Sequence, residues 1–248
     1  MRLTRVYVGA ALTPGSVVEL PRDTASHLAR VLRARDGDEL ILFNGDGDEF
    51  SGTIEAVRGS RVSAAVGASR SVDRESQLRI TLVQCVPRGD RMDFIVQKAT
   101  ELGVAQIVPA LSQRSVVRLD RAQAESKAAH WRAVAVSACE QCGRNRLPAI
   151  DAVQPLLHYL GEPAPATGLR LVFEPGSAAP TLGGAPGGDA PLTAVEMAIG
   201  PEGGFAPDEL EAFRVAGFSK VGLGPRILRT ETAAIAALVW LQTRFGGW

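Results

Sequence analysis

Cysteine is scarce: the 248-residue chain holds three, an odd and sparse set that builds no disulfide framework. Cys139 and Cys142 do form a C-x-x-C. No second pair accompanies it, and His27, His130 and His158 do not stand at zinc-finger spacing, so no metal is expected. The surrounding "VSACEQCGR" reads as helix interior, without the strand context of a redox motif. Long apolar runs are missing too, and none approaches the ~20 residues of a membrane span. The first residues, "MRLTRVYVGA", lack the apolar core of a signal peptide, so the expectation is a cytoplasmic protein with no membrane segment. An excess of charge of one sign is absent as well, with 27 Lys and Arg against 27 Asp and Glu, which argues against a wholly electrostatic nucleic-acid binder. The distribution is less even. Residues 79–146 carry eleven basic against six acidic residues, and residues 147–248 carry six against ten. A basic middle segment permits RNA binding.

Several catalytic signatures are also missing. No G-x-x-x-x-G-K-[ST] loop is present, and "GLGPRI" supplies only two glycines of a dinucleotide fingerprint, near the wrong end of the chain. There is no G-x-S-x-G elbow for a serine nucleophile.

What is present is an ordinary globular composition, 46% apolar and 22% charged, with enough apolar mass for a real core. The first ~70 residues read as strands and turns. Asn44-Gly45-Asp46-Gly47 predicts a hairpin, and "SHLARVLRA" predicts one short helix. The polar stretch Ser69–Gln77 reads as a linker. Beyond it, apolar strands ("LRITLVQCV", "AQIVPAL", "LRLVF", "VEMAIG", "KVGLG") alternate with helices. One helix carries Met92, Ile95, Ala99 and Leu102 on one face and ends at Gly103; another runs from Arg121 to Cys142 with Asp120 as its cap; two more start near Pro207 and Thr230. Such alternation predicts an α/β fold with a mostly parallel sheet. Residues 174–191, rich in Gly and Pro, read as a flexible connection.

Two strands end in Gly-Pro and are followed at once by a helix, in "AIGPEGGFAPDEL" and "VGLGPRILRTETAA". Ligands of open α/β sheets bind at the carboxyl ends of strands, where both exits fall. Glycine admits close backbone approach and proline stiffens the loop, which suits an adenine edge that needs both donors and acceptors.

Five blocks then resemble one family. They are "HLARVLRARDGDELILFNGDGDEFSG", "KATELGVAQIVPALSQRSVV", "EQCGRNRLPAI", "IGPEGGF" and "LGPRILRTETA". Together they resemble the RsmE-type 16S rRNA uridine-N3 methyltransferases of the SPOUT superfamily, over nearly the whole chain. The resemblance implies a PUA-like RNA-binding β-barrel over residues 1–72 and a SPOUT methyltransferase domain over 73–248, closed by a trefoil knot. It implies S-adenosylmethionine as cofactor, a homodimer, and 16S rRNA in the small (30S) ribosomal subunit as partner, modified near its 3′ end. Carried over, the cofactor loops are Phe173, Glu174 and Pro175, then Ile199, Gly200, Pro201, Glu202, Gly203 and Gly204, then Leu223, Gly224, Ile227, Leu228, Arg229, Thr230 and Thr232.

Uracil N3 keeps its proton at neutral pH, so the site needs a proton acceptor or a cation that favours the anionic ring. Arg229 is the expected cation and Glu231 the expected acceptor, with Glu202 as second candidate. The plain alternative makes Glu231 a dipole-favoured acid in a helix's first turn, capped by Thr230. Arg30, Arg33, Arg114, Arg144, Arg146 and Arg226 are candidates for RNA phosphates. Arg30 and Arg33 stand at helical spacing, and for Arg114, Arg144 and Arg146 the alternative is a solvated surface or a salt bridge to Glu140 across a dimer. Three other readings stay open: a SPOUT enzyme acting on a tRNA base or a ribose 2′-OH, a non-catalytic ribosome-assembly protein, and a nucleotide-binding metabolic enzyme.

Overall fold

The computed structural model describes residues 3–163, 168–175 and 192–246, so the connection expected over 176–190 lies outside the described residues. The chain divides into two compact units. One comprises Met1–Glu75 with Val136–Leu147, the other Ser76–Ala135 with Pro148–Trp248.

The first unit holds β1 (Thr4–Tyr7), β2 (Val17–Glu19), α1 (Arg22–Arg30), β3 (Glu39–Phe43), β4 (Asp48–Arg58) and β5 (Arg61–Ser71). They form one five-stranded sheet in the order β1-β3-β4-β5-β2, parallel only at β1–β3. Alternating side chains of β3, β4 and β5, among them Leu40, Leu42, Ile54, Val62, Ala64 and Val66, pack one core with Leu28 of α1. The expected hairpin is there: Gly45 and Gly47 take φ of 93° and 119°, which lets β3 turn straight into β4. Two expectations need correcting. Ser69, Arg70 and Ser71 belong to β5, paired with Phe50, Glu49 and Asp48, so no linker starts at Ser69. The helix begins four residues before "SHLARVLRA" and stops at Arg30. Val31 and Leu32 are 64% and 49% exposed, so no core contact carries the helix onward.

The second unit holds β6 (Arg79–Cys85), α2 (Arg91–Glu101), β7 (Gln106–Leu111), most of α3 (Arg121–Cys142), β8 (Ala149–Ile150), β9 (Gln154–Pro155), α4 (Leu156–Gly161), β10 (Leu169–Phe173), β11 (Ala194–Ile199), α5 (Pro207–Val215), β12 (Ser219–Val221) and α6 (Thr230–Phe245). Its seven strands are all parallel, in the order β12-β10-β11-β6-β7-β8, with β9 beside β7. Helices cover both faces, which is why the strands read as unbroken apolar runs. Leu171, Phe173, Met197 and Ile199 face α2, α3 and α6, while Val172 and Ala198 face α4 and α5. On the second face Phe205, Phe213 and Phe218 stack edge to face at 4.9 and 5.0 Å. Asp120 caps α3 as expected, its carboxylate accepting the Gln123 N–H at 2.8 Å.

Candidate functional site

Because β10 lies between β11 and β12, the segments leaving their carboxyl ends emerge side by side. They are Glu174-Pro175, the run Gly200–Phe205, and the stretch 222–229 that leads into α6. Together they enclose a cavity of about 520 Å³, within the range of small-molecule sites. Phe173, Glu174, Pro175, Ile199–Gly204 and Ile227–Glu231 line it, so the first Gly-Pro exit, the residues that follow the second and the Phe173 loop meet at one place. Leu223, Gly224 and Arg226 line an adjoining recess with Phe173, Leu228 and Ala233. Thr232 is exposed in the first turn of α6 and lines neither.

The walls are apolar where Phe173, Ile199 and Phe205 are buried, and charged where arginines and carboxylates approach. Arg114 lies on the cavity wall, Nη1 donating to the Gly203 carbonyl at 3.3 Å. A Cβ at Gly203 would stand 3.2 Å from the Arg114 backbone oxygen, so a larger residue would push the two segments apart by a few tenths of an ångström. The turn bearing Arg114 is fixed by Glu209, which is fully buried on α5. Its carboxylate accepts the Gln113 N–H at 2.8 Å, the Ser112 hydroxyl at 3.1 Å and the Ala206 N–H at 2.8 Å.

Arg91 was not among the expected residues. It opens α2 just beyond the carboxyl end of β6, the neighbour of β11, and its side chain reaches the cavity. Nη1 pairs with Glu202, whose Oε1 also accepts the Arg88 N–H at 3.2 Å, and Nε stands 3.9 Å from Glu231 Oε1. One cation therefore joins the carboxylates of both Gly-Pro segments. The charged turn Arg88–Arg91 between the carboxyl end of β6 and α2 was the signal that could have found it. Glu231 Oε2 is buried and has no hydrogen-bond partner among the described residues.

Thr230 is not the cap of α6. Arg229 holds that position with extended backbone and no side-chain cap bond. Thr230 instead donates its hydroxyl to the Gly200 carbonyl at 2.8 Å and accepts the Gln84 side-chain amide at 3.0 Å.

Comparison with known proteins bears on this cavity. The family described as RNA methyltransferase domain matches residues 74–242, and the RNA methyltransferase PUA domain matches residues 20–66. Ribosomal RNA small subunit methyltransferase E of Buchnera aphidicola (Schizaphis graminum) is 33% identical over 99% of this chain and 98% of its own length. The chain belongs to the ribosomal RNA small subunit methyltransferase E family. The Bacillus subtilis member is 31% identical over 92% of both chains. The Neisseria gonorrhoeae member, solved bound to S-adenosylmethionine, is 36% identical over 100% of both chains with a TM-score of 0.89. A Legionella pneumophila methyltransferase solved with bound S-adenosylmethionine is 38% identical over 98% of both chains, TM-score 0.90.

In this member of the methyltransferase E family the arginines expected to grip RNA have unequal surroundings. Arg226 and Arg229 are exposed beside the cavity, and Arg114 is exposed on its wall. Arg30 and Arg33 do not share a helix face, because α1 ends at Arg30 and Arg33 sits beyond it with φ of 52°. Arg144 is 5% exposed and pairs with Glu75 at 2.5 Å; no salt bridge to Glu140 is needed to neutralise it. Glu140 instead accepts the Tyr7 N–H at 3.0 Å, and burial raises its carboxyl above the usual range. Arg146 is exposed, its guanidinium against Gly47.

Behind Arg144 lies a buried ionic cluster within the first unit. Glu49, 3% exposed, accepts Arg5 at 2.7 Å, Arg70 at 2.5 Å and Arg74 at 3.1 Å. Burial pushes its carboxyl up, but the hydrogen bonds from Arg70, Arg5 and Arg74 outweigh that and hold it at about 2. Arg5 also donates to the Arg144 carbonyl and the Asn145 side chain, tying Val136–Leu147 to the sheet. The C-x-x-C falls in α3 as expected. Cys139 is buried beside Cys142, and that thiol contact with burial drives its pKa far above the usual thiol range, so it is chemically inert. Among the described residues no group of three or more His, Cys, Asp or Glu is arranged to hold a metal, and no helix is long and apolar enough to cross a membrane.

Proposed function

We propose that this chain methylates uracil N3 in 16S rRNA of the small ribosomal subunit, near the 3′ end, using S-adenosylmethionine. The observation that carries the reading is the single cavity walled by Phe173–Pro175, both Gly-Pro segments and Arg229–Glu231. Its residues fit the cofactor. Glycines 200, 203 and 204 keep backbone groups open to a purine edge, and buried Ile199 and Phe173 with half-buried Leu228 offer apolar contact. When bound, the cofactor supplies an electrophilic methyl group on a positively charged sulfonium.

The chain's own groups have three tasks. The loops position the reacting partners for in-line displacement, so orientation supplies much of the rate. Arg229, exposed and without an ion pair among the described residues, favours the anionic form of the ring. Glu231, which lines the cavity, accepts the N3 proton. N3 lies on the pairing edge, so the target base must be unpaired or drawn out of its helix. In this reading residues 1–72 help hold RNA through Arg30 and Arg33, and residues 73–248 transfer the methyl group, with Arg114, Arg146 and Arg226 on phosphates. A SPOUT-type trefoil knot, a homodimer and a cytoplasmic location complete the proposal.

The test incubates the protein and labelled S-adenosylmethionine with small ribosomal subunits from cells lacking the homologous enzyme. N3 methylation blocks pairing, so reverse transcription should stop beside one uridine near the 3′ end of 16S rRNA. Label on RNA without that stop would discard the N3 assignment, and label on tRNA alone would discard the ribosomal substrate.

A further inference from the structure

Gln84 interrupts the apolar run of β6 between Val83 and Cys85 and is fully buried. Its register partner on β11 is Ile199, so it stands beside the point where the first Gly-Pro loop departs. Its hydrogen bonds have only one possible polarity. The Gly200 carbonyl can only accept, so the Thr230 hydroxyl must donate to it at 2.8 Å. The hydroxyl oxygen then receives the Gln84 amide at 3.0 Å, and the second amide proton goes to the Cys85 carbonyl at 2.9 Å. This orientation leaves Gln84 Oε1 buried with no hydrogen-bond partner among the described residues.

A buried orphan acceptor destabilises a fold, whereas an apolar side chain of similar size would cost little at a strand position flanked by Val83 and Cys85. The glutamine therefore does something other than hold the sheet together. We propose that Gln84 is a positioning residue for cofactor binding, acting through Thr230 to fix the Gly200 carbonyl against the start of α6. The inference rests on the reading of this cavity as the S-adenosylmethionine site. Gly200 and Thr230 belong to the two different Gly-Pro segments, the Thr230 hydroxyl links them directly, and Gln84 anchors that link to the sheet. Arg91 joins the same two segments through Glu202 and Glu231, so loss of Gln84 loosens one tie between the walls without freeing them.

The test compares the full-length protein with Q84L, T230V and the double variant, by calorimetry with S-adenosylmethionine, by thermal unfolding, and by methyl-transfer kinetics. Q84L should bind the cofactor about tenfold more weakly, the scale of one hydrogen bond read through affinity. Its Tm should move by no more than about 3 °C, because the lost bonds are offset by removal of the orphan oxygen. KM for the cofactor should rise while KM for RNA stays put. The double variant should bind no more weakly than T230V alone, since both residues act through one link. Wild-type affinity in Q84L overturns the proposal, as does an additive loss in the double variant. A large fall in Tm alongside affinity assigns Gln84 to the scaffold and overturns it too. A wild-type protein that binds no S-adenosylmethionine overturns the cofactor reading itself, and this proposal with it.

Discussion

Replacing Glu49 by glutamine tests whether the buried ionic cluster holds the first unit together. Its carboxyl titrates near 2 in the folded protein, against an ordinary value of 4.5 in the unfolded chain. A depressed folded pKa stabilises above the unfolded value, and that contribution disappears as pH falls toward the folded value. The difference of 2.5 units corresponds to roughly 3 kcal/mol at pH 7, of which about 2 kcal/mol should be gone by pH 3. Because Glu49 is 3% exposed, solvent does little to screen this term.

E49Q should therefore lose about 3 kcal/mol at pH 7, and somewhat more if Arg5, buried at 7% exposure, is left without a counter-charge. The assay is urea unfolding followed by circular dichroism at pH 7, 5, 4 and 3, with the wild-type minus variant difference plotted against pH. Other carboxylates titrate in both proteins and cancel in that difference. The gap should stay near its full size down to about pH 5 and then shrink steeply. A gap that is flat from pH 7 to pH 3 would refute the reasoning, because the destabilisation would then come from packing and not from ionisation.

Arg229→Met should lower kcat by about 10²–10³, the usual effect of deleting one preorganised electrostatic group, while cofactor binding by calorimetry stays close to wild type. Glu231→Gln should likewise leave cofactor affinity nearly intact and cut single-turnover methylation by about 10²-fold or more. Arg91→Met removes the cation shared by Glu202 and Glu231, so KM for the cofactor should rise about tenfold, with crystals of the variant showing displaced Glu202. Phe213→Ala opens the stacked core beneath α5 and should cost about 3–5 kcal/mol in thermal unfolding without changing the cavity's chemistry.

Much of this architecture was legible because local rules suffice for it. Apolar runs buried on both faces announce parallel strands, Asp120 announces α3, and two Gly-Pro exits at strand ends announce adjoining loops. What escaped depends on partners distant in sequence. Nothing in "GRNR" shows that Arg144 meets Glu75, 69 positions away, so burial of a cation could not be read there. Arg91 and Glu202 are 111 positions apart and meet only because β6 and β11 are neighbours. The end of α1 escaped for another reason. The apolar period of "SHLARVLRA" continues past Arg30, but the surface it would cover does not, and the chain turns away.

The pairing pattern at the cavity narrows the chemistry further than the lining alone. Glu174 is spent on Lys220 at 3.1 Å, and Glu202 is spent on Arg91 and the Arg88 N–H. Groups satisfied within the fold hold walls in place and have little left to offer a reacting molecule. Two charges remain uncommitted at the start of α6: the Arg229 guanidinium, and the Glu231 oxygen that no neighbour satisfies. They stand two residues apart, with Thr230 between them pinned to both Gly200 and Gln84. A cation that favours a deprotonated ring and a carboxylate oxygen that can take its proton are the pair that methylation at a ring N–H requires. In the proposed reading, the rest of the cavity's charge keeps that pair where it is.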